Sequence, residues 1–114
     1  MVGHTDHIVS KELDSTLSKG ASMKVLIGKS QGWQDHVLRV IELEKSGFSP
    51  KHAHPWPHIN YVIEGQGELM IDDMTVRVFA NSYAFIPEGS LHQFRNVGDQ
   101  PFKFICIVPS VGHK

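Results

Sequence analysis

Three histidines within seven residues constrain the fold of this chain more than any other feature. They are His52, His54 and His58 in KHAHPWPHINYVIEG, and a fourth, His92, stands far along the chain in PEGSLHQF. Imidazole nitrogen is the commonest protein ligand for transition metals. Residues two apart in an extended segment project to the same side, so His52 and His54 can converge on one ion. Pro55 and Pro57 flank Trp56 in the link to His58. Proline fixes φ, which stiffens the link and presents His58 with little loss of conformational entropy. The fold must then carry His92 to the same point. An isolated histidine is most often a surface or packing residue, so this expectation of one mononuclear metal centre rests on spacing and context. His4, His7 and His113, near the termini, are expected to be solvated.

At 114 residues the chain has the length of one domain, with enough apolar material for one core. Residues 1–20 are polar and weakly patterned, and are expected to form an arm that packs on the barrel or on a partner subunit. Residues 21–109 form the expected barrel. The net charge is -1 and no long basic run occurs, so neither nucleic acid nor an anionic membrane is an expected partner. No apolar stretch is long enough to span a bilayer, and the N-terminal residues lack the apolar region of a signal peptide. Cys106 is the single cysteine, so no internal disulfide can form, and the cytoplasm is the expected compartment.

After residue 20 the pattern predicts strands between turns. The segments are MKVLIG (23–28), HVLRVIELE (36–44), HINYVIE (58–64), GELMI (67–71), MTVRVF (74–79), SYAFIP (82–87), HQFRN (92–96) and PFKFICIVP (101–109). SGFSP (46–50) is expected to be a turn, and Asp72-Asp73 a two-residue hairpin connection. No segment reads as a helix. Short strands at regular spacing predict an all-β sandwich or barrel.

Strand alternation assigns faces. His58, Asn60 and Val62 share one face and Ile59, Tyr61 and Ile63 the other, so this strand is expected to be covered on both sides, outside by the arm or a second subunit. Lys103 should point to water, which turns Phe104 and Cys106 inward. Phe94 lies on the face of His92. Arg39 shares a face with Val37, Ile41 and Leu43, an unusual place for arginine unless it reaches a polar cavity.

These residues resemble the cupin superfamily over roughly residues 46–96. The first cupin motif runs Gly, five residues, His-x-His, three or four residues, Glu, six residues, Gly. This chain has His52-x-His54, three residues, His58, six residues, Gly65. The second motif runs Gly, five residues, Pro-x-Gly, two residues, His, three residues, Asn, matched by Pro87-x-Gly89, His92 and Asn96. Ser46 and Asn81 stand at the two opening glycine positions, and asparagine tolerates positive φ better than most residues. His58 stands where most metal cupins have glutamate, as in a subset of small single-domain cupins with an HxHPWxH segment, some of which carry manganese. The resemblance implies a double-stranded β-helix (jelly-roll) barrel, commonly a homodimer. It also implies one divalent transition metal per chain on His52, His54, His58 and His92, manganese first and iron next, with zinc and nickel suited to the same ligands.

Four neutral imidazoles leave the full charge of a divalent ion in place, and four ligands leave two open positions on an octahedral ion. The expected function is a metal-dependent oxygenase of dioxygenase type acting on a small apolar or aromatic molecule. Phe94 and Phe104 would wall its pocket, Arg39 or Asn60 would orient the substrate, and Cys106 would be an inert apolar residue or a limit on what fits. The alternatives are a non-redox Lewis-acid isomerase or hydrolase, and a non-enzymatic small-molecule binding barrel.

Overall fold

The computed structural model describes residues 1–113. Nine strands carry almost all of the regular structure: β1 (Lys11–Glu12), β2 (Lys19–Ile27), β3 (His36–Phe48), β4 (His58–Glu64), β5 (Gln66–Ile71), β6 (Met74–Phe79), β7 (Tyr83–Ile86), β8 (His92–Asn96) and β9 (Phe102–Pro109). Single 3-10 turns at Thr5–His7, Lys29–Gln31 and Ser110–Gly112 are the only helical segments among the described residues. None is long and apolar enough to cross a membrane.

All pairings are antiparallel, in the order β6-β5-β8-β3-β9-β4-β7, with β2 added to β3 and β1 to β2. Strand β3 is the hinge of this arrangement. Its first part pairs with β2 and β9, while its last residue, Phe48, pairs with Arg95 of β8. The sheet thereby curls over itself into an all-β jelly-roll half-barrel. SGFSP is not a turn. Ser46 takes φ 67 and the β2–β3 register jumps between Leu43 and Phe48, so the segment is a bulge that redirects the strand. A bulge of this kind bends its strand and increases the local twist. The Asp72-Asp73 connection closes the β5–β6 hairpin, with Asp72 at φ 53.

Alternation places the core as strand parity requires. Leu43, Phe102, Phe104 and Val108 are buried, as are Val62 on β4 and Phe94 on β8. Lys103 faces out between Glu42 and Glu64. Of the two covers expected for the outer face of β4, the N-terminal arm does not supply one, because the described residues leave it open. Ile59, Tyr61 and Ile63 remain 50%, 42% and 44% exposed, beside Tyr83 and Phe85 of β7. The N-terminal residues go elsewhere: β1 extends the sheet beyond β2, and Lys24 Nζ donates to the Thr5 carbonyl.

Gly65 ends β4 at φ 89, where an added Cβ would collide with the Pro101 carbonyl and Phe102 Cα. Gly65→Ala therefore combines a strained φ with a backbone clash, and is expected to cost about 2–4 kcal/mol. Urea unfolding of the purified variant measures it.

Candidate metal centre

Backbone pairing brings the two histidine segments together. His52 N–H donates to the His92 carbonyl (3.2 Å) and His92 N–H returns to the His52 carbonyl (2.9 Å). This isolated bridge ties the His52 loop to the first residue of β8. The Pro87–Gly89 turn adds a second tie, with Gly89 at φ 80 donating its N–H to the His54 carbonyl (2.6 Å). His58 opens β4, paired with Ile86. Asn96 holds the far end of β8: its amide donates to the carbonyls of Leu43, Glu44 and Gln100, and its Oδ1 accepts from Gly98 N–H.

The four imidazoles form one cluster. Ring centroids lie 4.0 Å apart for His52 and His54, 4.8 Å for His52 and His92, and 4.6 Å for His58 and His92. Ligating atoms of His52, His54 and His92 all fall within 4.8 Å of one another, a group that can hold a metal ion. His58 joins the cluster through His92, with the two Nε2 atoms 3.0 Å apart.

Hydrogen bonds assign the tautomers of that pair. Asn60 Nδ2 donates to the Ile105 carbonyl, which turns Asn60 Oδ1 toward His58 Nδ1 at 3.1 Å. His58 Nδ1–H must therefore donate. His92 Nδ1–H donates to the Ser90 carbonyl at 2.9 Å. A neutral imidazole carries one N–H, so both facing Nε2 atoms present lone pairs and neither can donate to the other. A divalent cation held by both Nε2 atoms would resolve the arrangement. An outer partner on the second ring nitrogen is the usual support of a metal-bound histidine. His54 Nδ1 is buried with no partner among the described residues, and its ring stacks on Trp56 at 5.0 Å. This donor set fits a divalent transition metal.

The rings are also kept in the ligating, neutral form. Burial, followed by His92 and His54, pushes His58 down to about 3. The buried part of the His52 ring, with His54 and His92, lowers it to about 4, and burial lowers His54 and His92 as well. Imidazole must be deprotonated to bind a metal, so little proton competition is expected at neutral pH.

One cavity of about 600 Å³ contains every residue expected at the site. The four histidines, Arg39, Asn60, Phe94, Phe104 and Cys106 all line it. Phe94 and Phe104 stack at 4.1 Å and form an aromatic wall. Cys106 is buried, with Sγ 3.4 Å from Arg39 Nη2 and 3.8 Å from His58 Nδ1. Two contributors are not visible in strand patterns. Val111 and Gly112 fold back over the cavity after β9, with Gly112 against the Trp56 ring. His113 is half-buried rather than solvated, its Nδ1 3.3 Å from Arg39 Nη1. His4 and His7 are exposed, as expected.

Because these histidines titrate below their unfolded value of about 6.5, the unfolded chain binds more protons than the folded one between about pH 6.5 and pH 3–4. Their contribution to stability is complete above about pH 6.5 and is lost as the pH falls through that window. The Tm of chelator-treated protein is expected to drop steadily from pH 7 to pH 4.5, and His58→Gln should flatten the slope.

Known proteins resemble this one along most of its length. The Streptomyces cyaneus protein Polyketide synthase CurC is 26% identical over 115 residues, covering 90% of this chain and 72% of that one. The 1-methylthio-D-xylulose 5-phosphate methylsulfurylase of Rhodospirillum rubrum is 31% identical over 71 residues, 62% of this chain and 46% of that enzyme. Among solved structures, the polyketide cyclase RemF from Streptomyces resistomycificus superposes with a TM-score of 0.88 at 28% identity, covering 96% of this chain and 78% of RemF. The cupin-domain family model matches residues 39–108, which take in Arg39, all four clustered histidines and Cys106. With more than half of its length in that match, the chain belongs to the cupin family.

Proposed function

We propose that this protein is a metalloenzyme with one divalent transition metal on His52, His54, His58 and His92, and that it carries out oxygenase chemistry of dioxygenase type on a small apolar or aromatic molecule. The observation that carries the reading is the pair of facing Nε2 lone pairs beneath an aromatic wall. Manganese is the first choice and iron the next, with zinc and nickel also suited to imidazole. The bound ion would supply a centre of undiminished divalent charge, since no ligand is anionic. Phe94 and Phe104 offer a flat face to a ring or alkene, and Asn60 holds His58 in its ligating tautomer. Among the described residues no Asp or Glu lines the cavity, which favours chemistry that needs no carboxylate base.

The likeness to RemF and CurC favours a second reading, metal-assisted cyclisation or isomerisation of a polyketide-like molecule without redox change. Manganese-, iron- and zinc-loaded protein should be compared on phenols, enols, alkenes and poly-carbonyl compounds with an oxygen electrode and product analysis. The oxygenase reading predicts consumption of O2 or peroxide with manganese or iron and none with zinc. Equal turnover with zinc under anaerobic conditions supports the second reading. Tight capture of a compound without turnover identifies a binding barrel.

We further propose that a second copy of this chain covers the outer face of β4 and β7. Ile59, Tyr61, Ile63, Tyr83 and Phe85 form an exposed apolar surface on adjacent strands, the kind of patch that marks an interface. Sedimentation should give a dimer, and Phe85→Glu should shift it to monomer with the metal content per chain unchanged.

A further inference from the structure

We propose that the cavity is built for an organic anion, an apolar or aromatic body bearing one carboxylate or similarly acidic oxygen, and that Arg39 is the residue that selects it. The inference rests on the reading of this cavity as the substrate site and adds the charge class of the substrate.

Arg39 sits on β3 between the inward-facing Val37 and Ile41, directly across from Cys106 on β9. An arginine on this face needs a reason, because guanidinium stays charged at any relevant pH. None of the described residues supplies a counterion. Among the described residues the ion pairs involve other side chains, and no described carboxylate lines the cavity. The atoms that do meet Arg39 are a thiol sulfur at 3.4 Å and the His113 Nδ1 at 3.3 Å. Thiol sulfur is a weak acceptor and imidazole is a neutral one, whereas a carboxylate accepts two parallel N–H bonds from the guanidinium fork. Arg39 Nε is buried and unpartnered.

The surrounding charge points the same way. Four neutral imidazoles cancel nothing, so a bound metal would add to the positive charge of Arg39. Cys106 Sγ contacts both Arg39 Nη2 and His58 Nδ1, so the guanidinium lies one thiol away from the histidine cluster. A single ligand can therefore place its acidic oxygen at Arg39 and its apolar body against Phe94 and Phe104. The apolar lining selects an organic acid over a free inorganic anion.

Calorimetric titration of the full chain with 2-naphthoate and its neutral counterpart 2-naphthamide tests this, in metal-free and manganese-loaded protein. The carboxylate is expected to bind at least about tenfold more tightly than the amide in both forms. Arg39→Gln should abolish the preference for the acid over the amide, and Arg39→Lys should reduce it. A His52→Ala/His92→Ala chain should keep the preference, which separates this proposal from the metal reading. Equal binding of acid and amide to the unsubstituted protein overturns the proposal, as does a preference that survives Arg39→Gln. A preference seen only with manganese assigns the anion to the metal and overturns it too. If Arg39→Gln does not fold, the acid–amide ratio of metal-free unsubstituted protein and the Arg39→Lys result decide.

Discussion

The reciprocal backbone pair between His52 and His92 is the contact on which the site depends. It fastens a loop to the start of β8 and so brings together two segments that the chain itself keeps far apart. The Gly89 bond to His54 does the same one step further out. Neither contact uses the imidazole rings, which are left free to converge. A half-barrel is well suited to this task, because its strands fix the backbone while loops at its mouth carry the chemistry.

The chemistry of the site is set by which ring nitrogens are left free. Two lone pairs face each other at 3.0 Å because Asn60 and the Ser90 carbonyl claim the opposite ring nitrogens. Burial keeps the rings neutral, so protonation does not relieve the conflict near neutral pH. The nearby Arg39 worsens it, since a fixed positive charge disfavours a second one. A metal would satisfy the lone pairs, and the anionic ligand we propose would satisfy the guanidinium.

Much of this was legible in the sequence. Two-residue alternation identified the buried faces of β4 and β9 because each has a core on one side and a charged, half-buried or open surface on the other. His52-x-His54 and the proline-stiffened link to His58 foretold a local cluster of imidazoles, and Asn81 takes φ 77 at a position where glycine is usual. The course of β3 was not legible. Ser46 and Gly47 have the chemistry of a turn, yet Phe48 continues to pair across the sheet, because a bulge and a turn use the same residue types. His113 was also hidden, since it follows the last strand and only a folded-back 3-10 turn sets it beside Arg39. Coverage of the outer face of β4 could not be assigned from one chain, because an apolar face gives the same pattern whether an arm or another subunit meets it.

Metal analysis of protein purified without a histidine tag tests the central claim most directly. Mass spectrometry against protein concentration should give about one transition metal per chain, and single substitutions of His52, His54, His58 and His92 by alanine should each reduce it. Protein that carries no metal and takes up none on reconstitution would contradict the account. Full metal content in His58→Ala would reduce the centre to the three-histidine group of His52, His54 and His92.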